Sequence, residues 1–128
     1  MTAGPPAAGA PRPAEPPEEP RDFVKYTFFH LRAEWRRLPP ADREEGKARF
    51  AEILDRPPAG VSVRSYALTG LKAACEMMVW SIAPELGPVQ ELHARLFGTP
   101  LGGYLETPYS YLGMGRRSEY AGGHAHGG

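Results

Sequence analysis

Alternating bulky residues near the start of the chain predict a β-strand. Residues 23–32, FVKYTFFHLR, are dense in the aromatic and β-branched side chains that strands favour. Because successive side chains of a strand point to opposite faces, Val24, Tyr26 and Phe28 share one face. Phe29 lies on the other. Both faces carry bulk, so we expect this strand to be central in its sheet or covered on both sides.

Two later segments have the spacing of amphipathic helices. In residues 41–55 the apolar positions recur three and four apart, at Phe50, Ile53 and Leu54. The two prolines before this segment suit a helix start, because a proline in the first turn removes a donor that would be unpaired there. After a second start at Gly87 and Pro88, the helical spacing returns in Val89, Leu92, Leu96 and Phe97. Gly98 and Pro100 are typical of a helix end.

Three further segments have the pattern of strands. Residues 61–68, VSVRSYAL, alternate, and the segment 69–72, TGLK, turns the chain. Residues 75–82 then return as an apolar strand, which we expect to pair antiparallel with the one before it. The last predicted strand covers residues 109–114, where Tyr109 and Tyr111 share a face.

The resulting order is strand, helix, strand, strand, helix, strand. This order predicts an α+β, ferredoxin-like βαββαβ fold, with two helices on one face of a four-stranded antiparallel sheet. The other face carries Tyr66, Trp80 and Tyr111 and is too apolar to remain in water. We therefore expect a second sheet to cover it, in the manner of a dimeric α/β-barrel.

Composition limits the folded part to one domain. Residues 1–21 are proline-rich and lack the apolar content that offsets ordering entropy, which predicts a disordered tail, and residues 121–128 form a glycine-rich and histidine-containing tail. The domain is thus expected at residues 22–120. Fifteen basic and fifteen acidic residues balance, which argues against nucleic acid and membranes as partners. A single cysteine and the lack of a secretory signal favour the cytoplasm.

One succession of motifs resembles a known family. The segment from Ser65 to Ala73, SYALTGLKA, leads through MMVW at residues 77–80 to YSYLGMGRRSEY at residues 109–120. This succession is similar to the first half of the chlorite dismutase family, whose haem enzymes include coproheme decarboxylases. The resemblance covers roughly residues 23–120. One departure is the segment RRSEY, residues 116–120, where many relatives read Glu-Leu-Ser-x-Tyr.

The resemblance implies a cofactor, haem or iron-coproporphyrin, and an oxidoreductase activity of the decarboxylase or peroxidase type. In the family the proximal histidine, the radical-forming tyrosine and, in some members, a distal arginine lie in the second half. No position here matches them, so we assign no catalytic residue and no metal ligand. The resemblance further implies a second ferredoxin-like half or identical subunits as partners, with rings of five subunits in the full-length family. From their position before the haem-bearing half, Ser118 and Tyr120 are candidates for contacts to porphyrin propionates.

Other reactive residue types are more simply explained by structure. His124 and His126 have a metal-like spacing but lie in a glycine-rich tail without further ligands. His30 and His93 have no evident carboxylate or cysteine companion in the sequence. Cys75 is read as a small buried hydrophobe, and the methionines Met77, Met78 and Met114 as core residues.

Three interpretations remain open from the sequence. The chain is the scaffold half of a haem enzyme, or a small non-catalytic dimeric domain that binds a ligand or partner through its open sheet face, or a truncated reading frame whose second half is encoded downstream. A Soret band after addition of haem or coproheme distinguishes the first two. The downstream DNA distinguishes the third.

Overall fold

The computed structural model describes residues 21–116, so the predicted tails, apart from Arg21, and residues 117–120 of the predicted domain lie outside the described residues. Four strands and two α-helices follow one another in the chain: β1 (Arg21–Leu31), α1 (Pro40–Asp55), β2 (Ser62–Ala67), β3 (Met77–Ala83), α2 (Leu86–Phe97) and β4 (Leu105–Arg116). Short 3-10 turns at Ala33–Arg37 and Gly102–Tyr104 precede α1 and β4. No helix within this range is both long and apolar enough to cross a bilayer.

The strands form one antiparallel sheet in the order β2-β3-β1-β4. β1 pairs with β3 on one side, with Tyr26 opposite Trp80, and with β4 on the other, with Tyr26 opposite Tyr111. β2 and β3 form the expected hairpin. β1 is thus a central strand, as the bulky side chains on both of its faces predicted. The predicted ferredoxin-like α+β fold is confirmed.

The core lies between the sheet and the helices. Phe50 of α1 and three residues of α2, Val89, Leu92 and Leu96, are buried together with Trp35 and Ala83. Phe29 of β1 is fully buried and meets the rings of Phe50 and Phe97 at centroid distances of 6.3 and 5.8 Å. The odd-numbered residues of β1 therefore face the helices.

The predicted strand boundaries differ from the structure by one to four residues, and the starts of β4 and β3 differ for clear physical reasons. β4 begins at Leu105 instead of Tyr109, because Pro108 falls inside an edge strand, next to a register shift opposite Phe28 and His30. An edge strand tolerates a proline, whose missing donor needs no partner there. β3 begins at Met77 instead of Cys75, because the hairpin connection extends to Glu76, whose N–H donates to the carbonyl of Phe29 at 2.9 Å.

Candidate functional site

The face of the sheet opposite the helices is lined with aromatic side chains. Cross-strand pairing places residues of all four strands on it, and we call this set the aromatic face: Tyr26, Phe28, Tyr66, Trp80, Tyr109 and Tyr111. Tyr66, Tyr109 and Tyr111 are 44%, 39% and 56% exposed, although each ring is large and mostly apolar. A contiguous apolar surface of this kind marks an interaction site on a soluble domain.

Ring contacts hold the aromatic face in a fixed arrangement. Phe28 makes T-shaped contacts with Tyr109 and Tyr111, with ring centroids 6.2 and 6.1 Å apart. Tyr26 packs at a tilt against Trp80 at 6.4 Å. Such pairs prefer edge-to-face geometry because of the ring quadrupole. The face is thus preorganised before any partner binds.

Two cations lie over these rings. The ammonium of Lys72, from the β2–β3 connection, lies 4.7 Å from the ring centroid of Tyr109 and 5.7 Å from that of Phe28. The guanidinium of Arg64 lies 5.7 Å from the ring of Trp80. Cation–π contacts of this kind contribute about 0.5–2 kcal/mol. These contacts could not be predicted from local sequence patterns, because they depend on the cross-strand register.

Exposure is not uniform across the sheet. Val24 and Ile82 are opposite each other on the same side as the aromatic face and are buried, whereas the β4 end of the face is exposed. On the helix side of β4, Leu112 and Met114 are also more than half exposed. β4 therefore carries large apolar side chains in contact with water on both of its faces. The predicted core position of Met114 is wrong.

His93 lies between α2 and the sheet. Its Nδ1–H donates to the carbonyl of Val89 at 2.9 Å, which leaves Nε2 to accept from the Thr27 hydroxyl at 2.8 Å. Burial lowers the pKa of His93 below its ordinary value, and the nearby positive charge of Lys25 lowers it further. The ring is thus a neutral structural imidazole, and neither nitrogen is available to a metal.

His30 has a carboxylate neighbour that the sequence did not reveal. Nδ1 of His30 lies 3.3 Å from Oε1 of Glu76, without the alignment of a hydrogen bond, and Oε1 accepts the backbone N–H of Leu31 at 2.6 Å. Glu106 lies directly across the β1–β4 ladder from His30. The expectation that this histidine lacks an acidic companion is therefore wrong. The β2–β3 connection brings Glu76, which is distant in the chain, to this histidine.

Two of the described donors do not fit an axial iron ligand. Both nitrogens of His93 are occupied, whereas His30 lies in a depression that is wide open to solvent and has Glu106 in its lining. Cys75 is buried, as predicted, and desolvation raises the pKa of its thiol away from the thiolate form that binds metals. Within residues 21–116, no group of three histidine, cysteine or acidic side chains has an arrangement that could hold a metal ion.

The predicted propionate contacts, Ser118 and Tyr120, lie outside the described residues, as do Arg117, His124 and His126. The structure describes the strand that leads to them. β4 runs as far as Arg116, which is opposite Arg21 at the start of β1. Arg21 and Arg116, the first and last described residues, thus lie opposite each other on adjacent strands.

A polar cluster on the helix side of the sheet was not predicted from the sequence. The Lys25 ammonium of β1 donates to the Ser110 hydroxyl of β4, next to the Thr27–His93 hydrogen bond. The alternation of β1 places Lys25 and Thr27 on one face. Only the register between β1 and β4 shows that Ser110 joins them, and a sequence alone does not specify that register.

Comparison with known protein families and curated proteins gives one match. A family model described as chlorite dismutase matches residues 43–127. This range includes most of α1, the β2–β3 hairpin, α2 and β4. Among curated proteins nothing matches.

Solved structures share the fold. A mutant chlorite dismutase from Candidatus Nitrospira defluvii aligns with a TM-score of 0.71 at 24% identity, over 83% of this chain and 44% of that chain. The same organism's chlorite dismutase in complex with imidazole gives 0.70 at 24% identity, over 80% and 43%. A haem-binding protein from Thermus thermophilus gives 0.56 at 22% identity, over 71% and 38%. This chain thus spans less than half the length of each of these structures.

Proposed function

The chain belongs to the chlorite dismutase family, and from that premise we propose that it is the scaffold half of a two-sheet haem protein. In this proposal the aromatic face packs against a second ferredoxin-like sheet, and that partner holds the iron porphyrin. The partner is a separate second half or, when none is supplied, an identical subunit. The assembled protein is a haem-dependent oxidoreductase of the coproheme decarboxylase or peroxidase type, in the cytoplasm.

The observation that carries the proposal is the uncovered aromatic face of a half-length chain. Tyr109 and Tyr111 stay 39% and 56% exposed although they lie on a preorganised ring cluster with Phe28. Burying two or three such side chains contributes several kcal/mol, at about 25 cal/mol per Å². The relatives of known structure are more than twice as long as the aligned part of this chain. A second sheet is the partner that the shape and chemistry of this face suit.

The donor set supports placing the iron on the partner. Haem chemistry requires an axial ligand tuned by its surroundings. His93 is a neutral ring with both nitrogens bonded, and Cys75 is a buried thiol. We therefore propose no iron ligand and no catalytic residue on this chain. When bound, the porphyrin would supply the redox chemistry of the assembly.

The proposed contribution of this chain to the cofactor is peripheral. The last residue of β4 is Arg116, and the chain continues with Arg117, Ser118 and Tyr120. In the family, this segment joins the haem-bearing half. Hydroxyl and guanidinium donors pair well with carboxylates, and guanidinium–carboxylate hydrogen bonds are among the strongest in proteins. We propose that they bind the propionates and influence cofactor affinity and orientation.

Coproheme titration tests the proposal, with the Soret band as the readout. The 128-residue chain alone should give no spectrum of an axially ligated iron, and addition of the second half of a full-length relative should produce one. With that half present, Ser118→Ala and Tyr120→Phe should weaken coproheme affinity several-fold without changing the band position. Ser65→Ala, at an exposed position of β2, is the control for loss of a hydroxyl outside the proposed contacts.

Three results would contradict the proposal. A ligated Soret spectrum of the isolated chain that disappears in His30→Ala or His93→Ala would place the iron here. Unchanged affinity in both Ser118→Ala and Tyr120→Phe would reduce these residues to a structural role. Oligomers that never take up coproheme, with or without the second half, would favour the non-catalytic binding domain instead.

A further inference from the structure

A cleft opens on the helix side of the sheet, away from the aromatic face. It lies between α2 and the paired strands β1 and β4, and its volume is about 390 Å³. The cleft exists because α2 packs on β3, while β4 lies two strands away at the sheet edge. Pockets for small molecules have volumes of about 300–1,000 Å³. This cleft is thus large enough for a small ligand.

The floor of the cleft is polar. Lys25 and Thr27 of β1 line it with Ser110 of β4, which is directly opposite Thr27 in the ladder. The ammonium of Lys25 donates to the Ser110 hydroxyl, and the hydroxyl of Thr27 is committed to His93. An ammonium has three donors, so Lys25 keeps the capacity to bind an acceptor in the cleft.

The charge of the cleft is positive. None of its lining residues carries a carboxylate, and within residues 21–116 no acidic group lies at ion-pair distance from Lys25. His93 adds no charge, because its Nδ1–H is bonded to Val89 and its Nε2 accepts from Thr27. The Lys25 ammonium is exposed at its hydrogen bond with Ser110, so an acidic ligand can reach it and form charge-assisted hydrogen bonds with it.

The walls of the cleft are apolar. Val89 and Phe97 of α2 form one side, and Leu112 of β4 forms the other. Phe97 and Leu112 are 41% and 54% exposed, so apolar surface borders the cation directly. A ligand that suits this site carries an anionic group at one end and a hydrocarbon body at the other.

We propose that this cleft binds a small amphiphilic carboxylate. The carboxylate accepts from Lys25 and from the Ser110 hydroxyl, and the hydrocarbon body lies between Val89 and Leu112. Charge-assisted hydrogen bonds of this kind are about twice as strong as neutral ones. The site faces away from the aromatic face, so it does not depend on the proposed pairing of sheets or on haem.

Octanoate and octanamide provide a matched pair of probes, because they share a hydrocarbon body and differ in charge. Titration of the full chain, followed by calorimetry and by amide NMR shifts, should show octanoate binding at least about tenfold more tightly than octanamide. The shifts should centre on Thr27, His93 and Ser110. Lys25→Met should reduce octanoate affinity about tenfold and leave octanamide unchanged. Lys47→Met, which removes an exposed lysine of α1, should bind as the wild type does.

Equal affinities of the wild-type chain for octanoate and octanamide would overturn the proposal, and so would the absence of binding by octanoate. Shifts confined to Tyr66, Trp80 and Tyr111 would also overturn it, because they would place the probe on the aromatic face. These comparisons use the wild-type chain and do not depend on whether Lys25→Met folds.

Discussion

At the scale of single residues, His93 links helix α2 to the sheet. Its ring bonds Val89 of its own helix and Thr27 of β1, and Thr27 is 2% exposed. Protonation would put a second donor against the Thr27 hydroxyl and place a charge near Lys25. Burial, and then the charge of Lys25, lower the pKa of this ring from its ordinary value of 6.5.

This lowered pKa predicts a loss of stability in acid. The unfolded chain takes up a proton at His93 near pH 6.5, whereas the folded chain takes it up only at lower pH, so the contribution is complete above pH 6.5 and is lost as the pH falls below it. Urea unfolding should therefore give a smaller free energy of unfolding at pH 5 than at pH 7. His93→Gln should reduce that difference, and an unchanged difference in this variant would contradict the assignment.

Residue-level predictions from the sequence succeeded where they depended on alternation alone. Tyr109 and Tyr111 share a face as expected, and both contact Phe28. The contacts of the two described histidines could not be predicted. Glu76 reaches His30, and Thr27 reaches His93, only after the chain has folded. Contacts between distant segments depend on register and helix placement, which local patterns do not contain.

At the scale of elements, α1 packs closely because it contains a glycine. A Cβ built on Gly46 would lie 2.5 Å from Cη2 of Trp35, whose ring is buried and in edge contact with Tyr104 at 5.4 Å. The indole has no free space to move into. The sequence predicted this helix from its apolar spacing, but not the close approach, because Trp35 belongs to a separate 3-10 turn.

Gly46→Ala should therefore destabilise the protein, by about 1–3 kcal/mol from overpacking. This result is opposite to the stabilisation of about 0.5–1 kcal/mol that alanine normally brings inside a helix. Gly103→Ala, in the exposed turn before β4, is the control, because its Cβ would meet no atom within 4 Å beyond its chain neighbours, and it should be close to neutral. Thermal unfolding compares the two variants, and a Gly46→Ala melting temperature at or above wild type would disprove the close packing.

The order of the strands and helices was also predictable, whereas their ends were less so. Each helix and strand begins where the spacing of apolar residues changes, and this change is visible in the sequence. The start of β4 was predicted four residues too late, because Pro108 resembles a strand boundary. Only the edge position of β4 explains why the strand includes this proline.

At the scale of the whole molecule, the sheet has two unlike faces. Helices α1 and α2 cover one, and the other carries the aromatic face. This asymmetry is one basis of the scaffold proposal. The others are the family match and the finding that the chain spans less than half the length of its relatives of known structure. The family could be recognised from sequence motifs. The identity of the partner could not be predicted, because local sequence patterns contain no information about it.

Sedimentation equilibrium tests the central claim, that the aromatic face is an interface, most directly. Without a second half, the 14.0 kDa chain should sediment as a dimer or larger assembly. Tyr111→Glu should sediment as a folded monomer, because residue 111 is half exposed in the free chain but a charge there would be buried without a counterion in the assembly. Ala51→Glu, on the exposed side of α1, should assemble as the wild type does. A monomeric wild type at about 100 μM, far above the nanomolar to micromolar dissociation constants of stable interfaces, or a Tyr111→Glu variant that assembles normally, would contradict the account.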